Sequence, residues 1–189
     1  MKVESFKFEI LNFKSLNIKS LNPMKKLMTL LLMALMVTGL QAQNKSDLPN
    51  VTLKDLNGKD VNLSKLSNNG NPIVLTFWAT WCSPCIKEHS ALNDVYQDWQ
   101  DETGVKIYAV SIDDSRSTAR VKPMVEGKGW EFEVLLDVNS DLKRAMNVSN
   151  PPHTFLIDGN GKIVWYHTGY VEGGEEDLYE EILKIAKKK

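Results

Sequence analysis

Two cysteines and three histidines are all the thiols and imidazoles that 189 residues offer. A framework of several disulfides and a four-cysteine zinc site are therefore excluded. Neither sign of charge dominates: 23 Lys and Arg stand against 24 Asp and Glu, a formal net charge of −1. That leaves no basic field for nucleic acid. No apolar run reaches the roughly 20 residues of a membrane-spanning helix; the stretch from Leu27 to Leu40 is 14 residues long and carries no charge. Internal repeats and Pro/Gly-rich linkers are also missing, so nothing divides the chain after its N-terminal segment.

That segment has its own logic. Met24-Lys25-Lys26 is a short basic start, Leu27 to Leu40 an apolar stretch, and Gln41-Ala42-Gln43 a return to polar sequence. This is the layout of a secretory signal peptide over residues 24–42, with the cut after Ala42. Residues 1–23 read as a mis-assigned leader before a better start at Met24; an uncleaved anchor is the alternative for 24–42. No cysteine lies near the cut, which excludes lipid attachment there. Without residues 1–42 the chain keeps 17 basic and 22 acidic residues, a formal charge of −5. The remaining 43–189 is long enough for one core without covalent staples. The two cysteines are thus not needed for folding, and an exported pair calls for a chemical explanation.

Val51 to Leu63 alternates apolar and polar residues about Asn57-Gly58, a hairpin signal that predicts positive φ at both turn residues. Ser64-Lys65-Leu66 reads as one helical turn. Ile73 to Ala79 is almost continuously apolar, the pattern of a buried central strand. A helix is predicted from Pro84 to about Glu102, with Ile86, Leu92, Val95 and Trp99 inward and Gly104 as its stop. Val105 to Ile112 is a second strand, with Asp113 and Asp114 in a solvated loop. Ser115 to Lys128 reads as a weaker helix, kinked or starting late because of Pro123. A short strand from Phe132 to Leu136 and a short helix from Asp141 to Met146 follow. Thr154–Ile157 and Ile163–His167 form a hairpin about Asp158-Gly159-Asn160-Gly161, and a last helix runs from about Gly174 to Lys188. The predicted fold class is α/β: a central mixed sheet flanked by helices, parallel in the centre and antiparallel at one edge.

Both cysteines fall where the buried strand meets the long helix, as Trp81-Cys82-Ser83-Pro84-Cys85. Residues i and i+3 of a helix are neighbours, with Cβ atoms roughly 5–6 Å apart. A disulfide wants about 3.5–4.5 Å, so both redox states are reached with little backbone change. Pro84 suits the first helical turn, where its missing N–H is not needed. Cys82 meets the positive end of the helix, which favours a thiolate by about 0.3–1 kcal/mol. In thiol–disulfide exchange Cys82 attacks first and forms a mixed disulfide; Cys85, deeper in the turn, then resolves it. Two other readings stand beside this one. A structural disulfide would close a loop of four residues, worth only about 2 kcal/mol. A metal site would need further ligands, with His89 and His153 as the available additions.

Phe77-Trp-Ala-Thr-Trp-Cys-Ser-Pro-Cys85 resembles the active-site strand and helix of the thioredoxin superfamily. The hairpin with Gly58, Glu88 three residues after Cys85, the extra helix and strand between about Ser115 and Asp137, and Pro152-His-Thr-Phe-Leu-Ile-Asp158 resemble its exported TlpA-type branch, which holds the cytochrome c maturation reductases. The resemblance implies a thioredoxin-like fold over 43–189 with an N-terminal β-hairpin and an inserted helix and strand. It implies an exported, periplasmic thiol:disulfide oxidoreductase that exchanges disulfides with protein substrates through Cys82 and Cys85, as a reductase. No stable small-molecule cofactor and no metal is implied beyond the dithiol itself. The implied partners are protein thiols and a membrane electron-donor protein.

The same resemblance assigns site residues. Glu88 matches an acid that handles the Cys85 proton, and Thr76 stands where thioredoxin has a buried aspartate. Pro152 matches the cis-proline beside the dithiol, where it exposes a backbone edge to substrate; Pro151 before it lacks the N–H usual there. Trp81, Pro84 and His153 fall to substrate contact, and Trp78 to the core. His89 and His153 are candidates to stabilise a thiolate as imidazolium. The competing functions are a peroxiredoxin-like thiol peroxidase and a copper-binding assembly protein. The first wants Pro and Thr or Ser seven and three residues before its cysteine, positions held here by Leu75 and Ala79.

Overall fold

The structure is a computed structural model that describes residue 22 and residues 47–186. The expected signal peptide at 24–42, the leader at 1–23 and the three C-terminal lysines lie outside the described residues, apart from Asn22. Among the described residues no helix is long and apolar enough to cross a membrane.

Seven strands make one sheet: β1 (Thr52–Asp55), β2 (Asp60–Asn62), β3 (Ile73–Trp78), β4 (Lys106–Ser111), β5 (Glu133–Leu136), β6 (His153–Ile157) and β7 (Ile163–Thr168). Four helices accompany them: α1 (Ser83–Thr103), α2 (Val121–Lys128), α3 (Asp141–Ala145) and α4 (Gly174–Ala186). The order across the sheet is β2-β1-β5-β4-β3-β6-β7. β3, β4 and β5 run parallel. β6 and β7 add antiparallel on one side, and β1 and β2 on the other. The sheet is mixed, as predicted, but both edges are antiparallel, because the N-terminal hairpin joins the same sheet through β5.

β3 is the middle of the molecule. All six of its side chains are buried, so both of its faces are covered and the usual polar alternation is lost. Thr76 is its one polar residue. Helix α1 leaves the same junction, with Cys82 as N-cap, Pro84 in its first turn and Gly104 as C-cap at φ +69°. A left-handed cap of this kind favours glycine, which has no Cβ to clash. The buried stripe of α1 is Cys85, Glu88, His89, Leu92, Tyr96, Trp99 and Thr103, a helical repeat of three and four. It differs from the predicted stripe: Ile86 and Val95 are only half-buried, and two ionisable residues take the inner positions. Trp99 stacks on Tyr179 of α4 with centroids 4.9 Å apart, which sets α4 beside α1.

Two local expectations are corrected, at the β1–β2 turn and at Asp113, and one holds, the late start of the helix that contains Pro123. At the β1–β2 turn only Gly58 has positive φ, at +81°. Gly58 N–H donates to Asp55 O, and Asp55 Oδ1 accepts from the N–H of Asn57 and of Lys59. The aspartate side chain thus holds a wider turn, and Asn57 needs no left-handed conformation. The segment before α2 is a 3-10 turn over Thr118–Arg120; α2 starts late, which puts Pro123 in the first turn. Asp113, read as a solvated loop residue, is fully buried and belongs to the site described next.

Candidate active site

Cys82 and Cys85 are joined as a disulfide with Cα atoms 5.3 Å apart. Cys82 is 6% exposed and Cys85 0%, so the outer sulfur is the one a partner can reach. Cys82 Sγ also accepts from the Cys85 backbone N–H at 3.3 Å. The sulfur therefore occupies the position of an N-cap oxygen, against otherwise unpaired N–H groups. Trp81 beside it is 63% exposed. Pro84, Ile86 and Lys87 on α1, Lys128 at the end of α2, and Tyr170 and Val171 after β7 line a cleft of about 700 Å³.

Two distant elements hold this corner. Asp113, at the end of β4, accepts at Oδ2 from Thr80 N–H (2.8 Å) and Ser111 Oγ (2.9 Å), and at Oδ1 from Thr80 Oγ1 (2.6 Å). Hydrogen bonds to a charged group are worth about 1.5–3 kcal/mol each, so this clamp fixes the Ala79–Trp81 loop that presents Cys82. Sequence reasoning missed it because a loop Asp-Asp pair carries no sign of burial. The second element is the start of β6. The Pro151–Pro152 bond is cis, as expected from the resemblance. Phe77 pairs with His153 across β3 and β6, which places buried Pro152 at the sheet end where β3 runs into the dithiol loop.

Behind Cys85 lies a polar row in an otherwise apolar interior. Thr76 on β3 pairs with Thr154 on β6, and Thr154 with His167 on β7, so three polar side chains share one sheet face. Glu88, one helical turn beyond Cys85, caps the row. Its Oε1 lies 3.1 Å from Thr154 Oγ1 and 3.1 Å from His167 Nε2. Thr154 Oγ1 is 2.9 Å from Thr76 Oγ1, which is 3.4 Å from His89 Nε2. One ordering serves every hydroxyl: His89 Nε2–H donates to Thr76, Thr76 to Thr154, Thr154 to Glu88, and His167 Nε2–H to the same carboxylate oxygen. Glu88 Oε2 is buried and has no protein partner. It is the open acceptor of the group, on the helix that carries Cys85.

The histidines sort differently from expectation. His89 is buried between Trp78, Trp130 and Phe132, with ring centroids 5.0–5.3 Å away. Burial drives its pKa from 6.5 down to about 3, so it is neutral and does not act as a cation beside a thiolate. His153 points to the opposite sheet face from Glu88, since strand residues alternate. It stacks on Phe155 and Tyr166, and its Nδ1 meets Thr168 Oγ1 at 3.1 Å. Burial first and His167 second lower its pKa, so the imidazolium expected there is also disfavoured. The histidine that reaches the acid is His167, which was read only as a strand residue. Strand alternation from Ile163 and Trp165 would have put it on the inner face, but not opposite Glu88. Among the described residues no three Cys, His, Asp or Glu side chains gather as a metal site.

A dithiol whose outer sulfur caps a helix at the end of a central parallel strand, with a cis-proline at the same sheet end, defines the thioredoxin-like thiol:disulfide oxidoreductases. The AhpC/TSA family signature matches residues 45–166, and the chain belongs to that family. The thiol-disulfide oxidoreductase ResA of Bacillus subtilis is 40% identical over 139 residues, 74% of this chain and 75% of that protein. The solution structure of an uncharacterized thioredoxin-like protein from Porphyromonas gingivalis is similar at 53% identity and TM-score 0.68, covering 76% of this chain and 94% of that one. A crystal structure described as a thiol:disulfide interchange protein DsbE, from Chlorobium tepidum, matches at 29% identity and TM-score 0.65, covering 75% and 96%. These likenesses favour the oxidoreductase over the peroxidase, and buried Leu75 and Ala79 fill the positions where a peroxidase needs Pro and Thr or Ser.

Proposed function

We propose that the protein is an exported reductase of protein disulfides, with Cys82 as nucleophile and Cys85 as resolving thiol. The observation that carries this reading is the asymmetry of the pair. Cys82 reaches the surface beside Trp81 and an open cleft, while Cys85 is fully buried one turn from a buried carboxylate. In the reduced protein the Cys82 thiolate attacks a substrate disulfide; one substrate sulfur leaves and a mixed disulfide forms. Cys85 then attacks Cys82, the Cys82–Cys85 bond closes, and the second substrate sulfur leaves with its electron pair. Glu88 accepts the Cys85 proton in that second step. Trp81, Pro84, and the Pro152–His153 edge serve substrate docking.

The oxidised dithiol must be reduced again, which calls for a membrane electron-donor protein in the exported compartment. Apocytochrome c thiols are one substrate class for such a reductase, in keeping with the resemblance to cytochrome c maturation proteins; other misoxidised exported proteins are the second. The test is covalent trapping. Cys85→Ser accumulates mixed disulfides through Cys82 with both substrate and donor, identified by mass spectrometry after non-reducing electrophoresis, and Cys82→Ser accumulates none. Equal trapping by Cys82→Ser, or insulin reduction retained by it, overturns the assignment.

A further inference from the structure

Glu88 has an unexplained neighbour. Its side chain is 3% exposed, and it meets an ionisable partner, His167, at 3.1 Å. The imidazole is 26% exposed and stands on β7, 79 positions away in sequence. Its Nδ1 is buried and has no protein partner, so the ring's polar contact is spent on Glu88 alone. Other titratable groups around the pair are few. His153 of β6 lies on the opposite sheet face and feels His167 only through its charge, Tyr170 approaches from the loop after β7, and Asp177 of α4 lines the same small pocket as His167 and Tyr170. Tyr170 donates to Glu175, and Glu172 and Glu175 act on it in turn. No lysine or arginine contacts Glu88 among the described residues, so His167 is its sole cationic candidate.

We propose that His167 is a positioning residue for the resolving step: it holds Glu88 as a carboxylate ready for the Cys85 proton and shares that proton while the exchange runs. The inference rests on the reading of Glu88 as the acceptor for Cys85. Oε1 is engaged by Thr154 and His167, which turns Oε2 free toward its task. As Cys85 sulfur attacks the mixed disulfide, its proton passes to Glu88 Oε2, the Cys82–Cys85 bond forms, and the Cys82–substrate bond breaks. The departing sulfur carries the electron pair away as a thiolate. The Glu88–His167 pair then holds one proton more than before and gives it up to the departing thiolate or to solvent. Histidine suits this post because one ring nitrogen can hold the carboxylate while the other accepts or releases a proton.

The test follows the reduced protein with an aromatic disulfide, 5,5′-dithiobis(2-nitrobenzoate), in stopped flow. The first thiolate released reports Cys82 attack; the second reports resolution by Cys85. Both phases are measured from pH 4 to 9 in the wild type, His167→Gln, His167→Phe, Glu88→Gln and the Glu88→Gln/His167→Gln pair. His167→Gln keeps an N–H donor but cannot take up a proton, and is the variant chosen to preserve the fold; circular dichroism checks each protein. The expected result is a second phase about tenfold slower near pH 7 in both His167 variants, with its midpoint moved to higher pH. The first phase stays within about twofold of wild type, and His167→Gln adds nothing once Glu88 is already Gln. If the His167 variants follow the wild-type pH profile while Glu88→Gln is slowed, the role of His167 is overturned and that of Glu88 stands. If Glu88→Gln itself follows the wild type, the reading of Glu88 falls, and this one with it.

Discussion

Glu88 and His89 are consecutive residues of α1, both ionisable and both buried, yet they live in different chemistry. Glu88 meets the Thr154 hydroxyl and the His167 imidazole, and keeps one oxygen without a protein partner. His89, about 100° further round the helix, sits in a nest of three aromatic rings. The same helix thus delivers an acid to a polar row and a base to an apolar pocket. The two ends are still connected, because the hydroxyls of Thr76 and Thr154 bridge His89 to Glu88. The difference teaches that burial alone does not identify a working ionisable group. What matters is whether its neighbours let it change charge.

The sharpest way to break the comparison is to put an acid in the aromatic nest. His89→Glu leaves a carboxyl there with no cation and only the Thr76 hydroxyl beside it, and is expected to cost about 3–5 kcal/mol in urea unfolding. A loss under about 1 kcal/mol would mean that the nest tolerates charge and that the two sides are not distinct.

A gentler change isolates the charge of His89. Its folded pKa lies near 3 against 6.5 for the free side chain. Below pH 6.5 the unfolded chain binds a proton that the folded chain refuses. The associated stability is therefore complete above pH 6.5 and is lost as pH falls toward 3. At pH 5 the loss is about 2 kcal/mol. His153, shifted in the same direction, adds to it. His89→Phe fills the nest with a ring of similar size, so stability at pH 8 should change by less than about 1.5 kcal/mol. The drop from pH 8 to pH 5 should shrink by about 2 kcal/mol; an undiminished drop would show that His89 is not the group that titrates.

The smallest effect tests the bridge. Thr154→Val removes the hydroxyl between Thr76 and Glu88 and should cost about 1 kcal/mol. In a His89→Phe background its cost should fall, since the chain of donors is already cut. Simple additivity would show that the two flanks of α1 are independent.

Much of the site was legible because it is local. The dithiol, Pro84 in the first helical turn and the buried strand before them lie within thirteen residues, the helix follows directly, and each follows from spacing and side-chain type. Pro152 was legible only through resemblance, and its cis bond agrees. Glu88 was named for the same reason, though its burial was not visible in the pattern. The rest was hidden for physical reasons. Asp113 looks like a loop residue until Thr80 and Ser111 surround it. Ile86 looked inward by hydropathy, but polar Glu88 and His89 took the inner face, because the row of Thr76, Thr154 and His167 gave one of them partners and Trp130 and Phe132 enclosed the other. His153 was named by resemblance and His167 only as a strand residue, and the alternation and pairing of β6 and β7 turned them to opposite faces.

By itself, then, the sequence determined the reacting pair, the strand-to-helix junction that carries it and the α/β order around it, since all of these depend on neighbours in the chain. The tertiary structure alone decided which side chains gather around Glu88. Glu88 acquires His167 from 79 positions away, through the register of three strands. A one-residue slip in that register would turn His167 to the other face. Such a partnership has no spacing to read, because it exists only once the sheet has closed.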